Sequence, residues 1–201
     1  MRRLLVNFAA VGDLVMATPL MRVLGEGAEL HVLARPYAKP LLSGSKQPFI
    51  QRVHPLLHPN RGRKGLARLL LGGHRRALGK ILAEVGYDEV YLYEVERPVI
   101  RDWIRDFLPK AEVKILGSRP DHDPWHCCDV NPHALRRLSM LPEGFDPLPR
   151  LDIHPDLDRR AQEILMPLGK RVIGVQAGSQ RTHRSVCLLY TSPSPRDRQK
   201  S

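Results

Sequence analysis

Gly12 and Asp13 stand side by side in "AAVGDLVMATPLMRVL", immediately after an apolar run. A glycine lets the backbone turn without a Cβ clash. An aspartate beside it can cap the helix that follows or project as a carboxylate base. A second set lies in "HPNRGRKG", where Arg61, Arg63 and Lys64 make a basic loop suited to phosphates or acidic sugars, or simply to solvent. Near the end, Val172 to Val175 read as a buried strand, Ala177-Gly178-Ser179 as a tight turn after it, and Arg184 follows in "SQRTHR". Asp121 and Asp123 in "DHD" have the spacing of a two-oxygen site for Mg²⁺ or Mn²⁺, but a three-letter match in a loop that precedes helices lacks the fold context such a site needs. His122, His126, Cys127 and Cys128 contain no C-x-x-C spacing, and adjacent cysteines chelate zinc awkwardly, so no metal site is expected.

The elements that position these residues are legible from their periodicity. Leu4 to Ala10 is apolar except for Asn7, as a central strand buried on both faces would be. Further strands are expected near Glu29 to Ala34, Gln51 to Pro55, Glu89 to Val95, Glu112 to Leu116 and Arg171 to Gln176. Helical patterns fall between most of them, which predicts an α/β fold with a doubly wound, Rossmann-like parallel sheet. The clearest helix spans "KGLARLLLGGHRRALGKILAEVG", with Leu66, Leu70, Gly73, Ala77, Ile81 and Val85 as its apolar stripe. A second, "PVIRDWIRDFL", spaces Ile100, Ile104 and Leu108 four apart. Residues 118 to 131 read as a loop, followed by helices in "PHALRRLSML" and "HPDLDRRAQEILMPLG". Thr18 reads as an N-cap, with Pro19 as first helical residue of a kinked second segment. One glycine after the first strand is not G-x-G-x-x-G, so a dinucleotide fingerprint is absent.

Composition narrows the classes. The chain has 201 residues, 42% hydrophobic and 26% charged, which is ordinary for a globular protein. No run approaches the roughly 20 apolar residues of a bilayer span, and Gly12-Asp13 comes too early for a signal peptide, so a cytoplasmic location is expected. Three cysteines make no disulfide framework. The formal charge of +11 favours phosphate-bearing partners without identifying them. A basic nucleic-acid-binding module and a noncatalytic Rossmann-like domain are the alternatives. An aromatic content of 5% offers no stacking platform, so no specific nucleic-acid partner is expected.

The first strand, Gly12-Asp13, Thr18-Pro19, Leu20 and Leu24 resemble the start of the bacterial heptosyltransferase family, glycosyltransferase family 9. The likeness continues through "AELHVLARPYAKPLL", "VGYDEVYLYE" and "KRVIGVQAGS". It implies a two-domain GT-B architecture with two facing Rossmann-like halves, the acceptor mainly on the first and the sugar nucleotide mainly on the second. The implied reaction moves heptose from ADP-heptose onto the lipopolysaccharide inner core with inversion, without a metal or other cofactor. On this resemblance Asp13 is the general base and Gly12 lies at the acceptor site with Arg61, Arg63 and Lys64. Gly178 and Ser179 occupy the donor-site turn, and Arg184 stands where a phosphate-contacting Lys is common. The Trp-Pro pair that usually follows that Lys is replaced by Ser185-Val186. Peripheral contact with the cytoplasmic face of the inner membrane is also implied by a lipid-linked acceptor.

The organisation expected is an acceptor-side domain over residues 1–154, an interdomain helix over 155–169 and the start of a donor-binding domain over 170–186. The closing "CLLYTSPSPRDRQKS", residues 187–201, has no counterpart in the family and resembles the conceptual translation of a transposase-type sequencing-library adapter. A chain so divided is expected to lack transferase activity by itself.

Overall fold

The computed structural model describes residues 1–43, 47–57, 72–93, 98–116, 130–151 and 155–168. The strand expected at Arg171 to Gln176, the basic segment and the start of the long helix expected within 58–71, and most of the loop expected at 118–131 lie outside the described residues. The chain divides into two units after His154.

In the first unit five strands form one sheet in the order β3-β2-β1-β4-β5. They are β1 (Arg2–Asn7), β2 (Glu29–Ala34), β3 (Arg52–Pro55), β4 (Glu89–Leu92) and β5 (Glu112–Ile115). All pairs are parallel, with β1 registered on β2 from Arg2 opposite Glu29 to Asn7 opposite Ala34. This is the Rossmann-like α/β fold that the strand and helix alternation predicts.

Period-two alternation sends β1 side chains to two cores. Leu5, Val32 and Tyr91 pack on one face under α1 (Val11–Met16), α2 (Thr18–Gly25), α3 (Ala38–Ser43) and α6 (Val130–Arg137). Leu4, Val6, Leu33, Val90 and Leu92 pack on the other under α4 (Gly73–Val85) and α5 (Pro98–Phe107). Fully covered parallel strands need to be apolar on both faces, which is why β1 reads as an almost continuous hydrophobic run.

Two expectations change here. The long helix does not pass through Gly72, whose φ of 68° is left-handed; helix α4 starts at Gly73 and ends before Gly86, at φ 70°. Its buried side is His74, Leu78, Gly79 and Leu82, one residue along from the expected stripe, while Ala77, Ile81 and Val85 are half-buried beside it. Helix α6 begins at Val130, inside the expected loop, and ends at Arg137.

In the second unit the described residues are a helix, α7 (Pro155–Leu165), and a 3₁₀ turn, Met166–Leu168. Pro155 starts it and Asp156 and Asp158 occupy its first turn, as the sequence predicts.

Candidate active site at the carboxyl edge of the sheet

From β1 the chain winds outward through β2 to β3, then returns to place β4 on the other side of β1. The winding therefore reverses beside β1, and in open α/β sheets ligands bind in the crevice outside the carboxyl ends of strands at such a reversal. Helix α1 begins four residues after β1 ends, and Asp13 stands in its first turn, exposed.

The loop between strand and helix is tied down by side chains. Asn7 ends β1 and is 1% exposed; its Oδ1 accepts the Ala9 N–H at 2.9 Å, which turns the chain out of the strand three residues earlier than the apolar run suggests. The Asn7 Nδ2 is buried without a hydrogen-bond partner. The Tyr37 hydroxyl donates to the Ala9 carbonyl. The Asp13 Oδ2 accepts the Ala10 N–H at 3.3 Å, the return half of a capping box, since Ala10 has no side-chain oxygen to complete it. Capping and exposure coexist: one oxygen is engaged at long range and the carboxylate stays open to solvent.

Gly12 corrects one expectation. Its φ is not left-handed, it lies inside α1, and a Cβ there would meet nothing within 4 Å, so the turn does not require glycine. What Gly12 leaves is open space beside Asp13. Thr18 corrects another. The N-cap of α2 is Ala17, and Thr18 is the first helical residue, fully buried, with its hydroxyl donating to the Val15 carbonyl at 2.8 Å.

Of the other sequence-predicted site residues, Arg61, Arg63, Lys64, Gly178, Ser179 and Arg184 lie outside the described residues, as do Asp121, His122, Asp123, His126, Cys127 and Cys128. Asn7, Tyr37 and Asn131, whose Nδ2 donates to the Met16 carbonyl at the end of α1, are site neighbours absent from the residues that the sequence singles out. The one signal available was the polar break that Asn7 makes in an apolar strand.

The opposite edge of the sheet has more polar chemistry, in two clusters whose members engage one another. The Glu89 carboxylate accepts from Arg3 Nε at 2.7 Å, the Tyr91 hydroxyl at 2.9 Å and Lys114 Nζ at 2.5 Å. Burial raises the Glu89 pKa, but these three donors outweigh it and hold the carboxyl at about 2. His31, His54 and Tyr87 form a buried triangle, with His31 Nδ1 to the Tyr87 hydroxyl at 2.9 Å and His54 Nε2 to the same hydroxyl at 3.0 Å. The Glu29 carboxylate faces His31 Nε2 at 3.1 Å. A neutral His31 protonated on Nε2 satisfies that contact and leaves Nδ1 to accept from Tyr87. Burial, then neighbouring His31 and Arg52, push His54 down to about 4. Burial also lowers His31, against the pull of Glu29. A groove of about 830 Å³ opens on this edge, lined by Arg2, Glu29, Asp88 and Lys110 among others. Arg2 is already bonded to Glu29 Oε2 at 3.0 Å and to the Val85 carbonyl at 2.9 Å. Size alone favours that groove; topology and the open carboxylate favour the carboxyl edge, which is the better candidate.

Among the described residues no helix is long and apolar enough to cross a membrane. No family model matches the chain, and no curated protein matches it. Solved structures do. A crystal structure of the glycosyl transferase family 9 from Veillonella parvula DSM 2008 is similar at a TM-score of 0.65 and 16% sequence identity, over 92% of this chain and 55% of that one. E. coli heptosyltransferase WaaC with ADP-2-deoxy-2-fluoro heptose is matched at a TM-score of 0.49 and 15% identity, over 73% of this chain and 52% of that one. The chain thus spans about half the length of the glycosyl transferases it matches. At 16% identity the likeness is one of fold, and the fold is the Rossmann-like α/β architecture shared with the Veillonella parvula glycosyl transferase.

Proposed function

We propose that this chain is the acceptor-side half of a glycosyltransferase, with Asp13 as the general base. The single observation that carries the reading is an exposed carboxylate in the first turn after the central strand, at the sheet's topological switch point. A carboxylate there can take the proton of an acceptor hydroxyl as its oxygen attacks the anomeric carbon from the face opposite the leaving diphosphate, which inverts the configuration. Open space at Gly12 gives the acceptor room to approach. The donor is a nucleotide diphosphate sugar, with heptose from ADP-heptose as the leading choice and the lipopolysaccharide core as acceptor. Support comes from the motif resemblance around Gly12-Asp13 and from the shared fold. Gly178, Ser179 and Arg184 at the donor diphosphate, and Arg61, Arg63 and Lys64 at acceptor phosphates, belong to the same proposal. So does the location, on the cytoplasmic face of the inner membrane.

The test is amide-resolved titration of the chain with a deacylated lipopolysaccharide core oligosaccharide. Saturable shifts at Val11 to Leu14 are expected. Shifts confined to Met1, Arg2 and Lys110, on the opposite edge, would move the site and remove Asp13 from the chemistry.

A further inference from the structure

Helix α1 has six residues, too few to hold itself by propagation. Its last carbonyls also lack ordinary partners. Pro19 lies four residues after Val15 and has no N–H to give. The Val15 carbonyl instead takes the Thr18 hydroxyl at 2.8 Å, and the Met16 carbonyl takes Asn131 Nδ2 at 2.5 Å. Both side chains are fully buried, so water cannot substitute for either. The Thr18 hydroxyl goes on to accept the Arg150 N–H at 3.1 Å. The segment around Arg150 is itself held against α2, where the Arg22 guanidinium donates to the Asp146 and Leu148 carbonyls at 3.1 and 2.9 Å. The carboxyl end of α1 is therefore fastened to two parts of the chain more than a hundred residues away.

We propose that Asn131 and Thr18 are positioning residues for Asp13, fixing from behind the short helix that carries it. Asn131 restrains α1 from α6, and Thr18 restrains it from the segment ending at Arg150. Because α1 is less than two turns long, a shift at Met16 is carried to Asp13 with little to absorb it. The inference rests on reading Asp13 as the base, but its test requires no turnover.

Amide spectra and hydrogen exchange of the 201-residue chain are compared for the wild type, Asn131→Leu, Thr18→Val and Thr18→Ser. The Ala10 amide reports the Asp13 carboxylate bond at the far end of α1. Expected are a displaced Ala10 resonance and about tenfold faster exchange at Leu14 to Ala17 in the Leu and Val variants, consistent with losing one buried hydrogen bond. Exchange at Val90 to Leu92 stays unchanged, and Thr18→Ser restores both signals. If Asn131→Leu fails to fold, the Thr18 pair decides. An unmoved Ala10 resonance, or losses spread equally to Val90 to Leu92, would overturn the proposal by showing packing alone. A wrong base assignment leaves these signals as expected and shows separately as unaltered turnover of Asp13→Asn in a version that carries a complete donor-binding half.

Discussion

The two edges of the sheet are built from the same five strands and treat polar groups in opposite ways. At the amino edge Arg3, Glu89, Tyr91 and Lys114, and then His31, His54 and Tyr87, satisfy one another and are largely withdrawn from water. At the carboxyl edge an amide nitrogen on Asn7 is buried without a partner, Asp13 is exposed, and Gly12 leaves room. Closed polar networks give stability and a unique register; groups held ready without full partners are where binding or catalysis can occur. The comparison teaches that richness in titratable groups does not locate the site. On the proposed reading, the richer edge is the structural one.

The comparison breaks most visibly if Glu89 proves dispensable. Glu89→Ala takes the shared carboxylate from Arg3 and Lys114, leaving Arg3 only the Leu24 and Glu26 carbonyls and Lys114 only Glu112, at a cost of about 2–3 kcal/mol, less than for a fully buried pair because the site is partly exposed and both cations keep a partner. Urea denaturation at neutral pH measures it, and a cost near zero would make the network ornamental.

Acid tests the other amino-edge cluster. His54 and His31 have folded pKa values below the 6.5 of an ordinary histidine, so the unfolded chain binds protons first as pH falls. Both contributions are complete above pH 6.5 and fall away below it; that of His54 is lost between there and about 4, amounting to up to about 3 kcal/mol. Glu89 adds a separate loss as pH drops from 4.5 toward 2. Denaturation midpoints measured at pH 7.5 and 5 should differ; equal midpoints would show that the histidines are not sealed in a neutral state.

At the carboxyl edge the expected stability effects are smaller and run the other way. Gly12→Ala should stabilise the chain by roughly 0.5–1 kcal/mol, since α1 there has ordinary helical φ and the Cβ meets nothing. The same variant should weaken acceptor binding if that space is for substrate. A destabilised Gly12→Ala would return glycine to a conformational role.

How far the sequence carried the fold depends on whether a signal was local. The strands were legible because a doubly covered parallel sheet demands short apolar runs, and β2 falls on Glu29 to Ala34 as expected. A stripe that runs through Gly73 puts helix α4 one residue out of phase, whereas the left-handed Gly72 is its N-cap and His74 turns inward. Thr18 was misread because Thr before Pro is the usual N-cap pattern; here Ala17 already joins α1 to α2, and the hydroxyl is needed one residue later. The triangle of His31, His54 and Tyr87 could not be read at all, since its members come from β2, β3 and the turn before β4 and meet only after the sheet is assembled. Asp13 was legible as a residue of two possible roles; the fold shows the cap and leaves the carboxylate exposed, as the proposed base requires.

The most direct measurement is turnover of Asp13→Asn in a version of the protein that carries a complete donor-binding half, with thermal stability recorded alongside. Asn keeps an oxygen for the Ala10 N–H and removes the base, so an unchanged melting temperature with a fall in kcat of about 10²–10⁴ is predicted. Turnover equal to the wild type, at equal stability, would contradict the account.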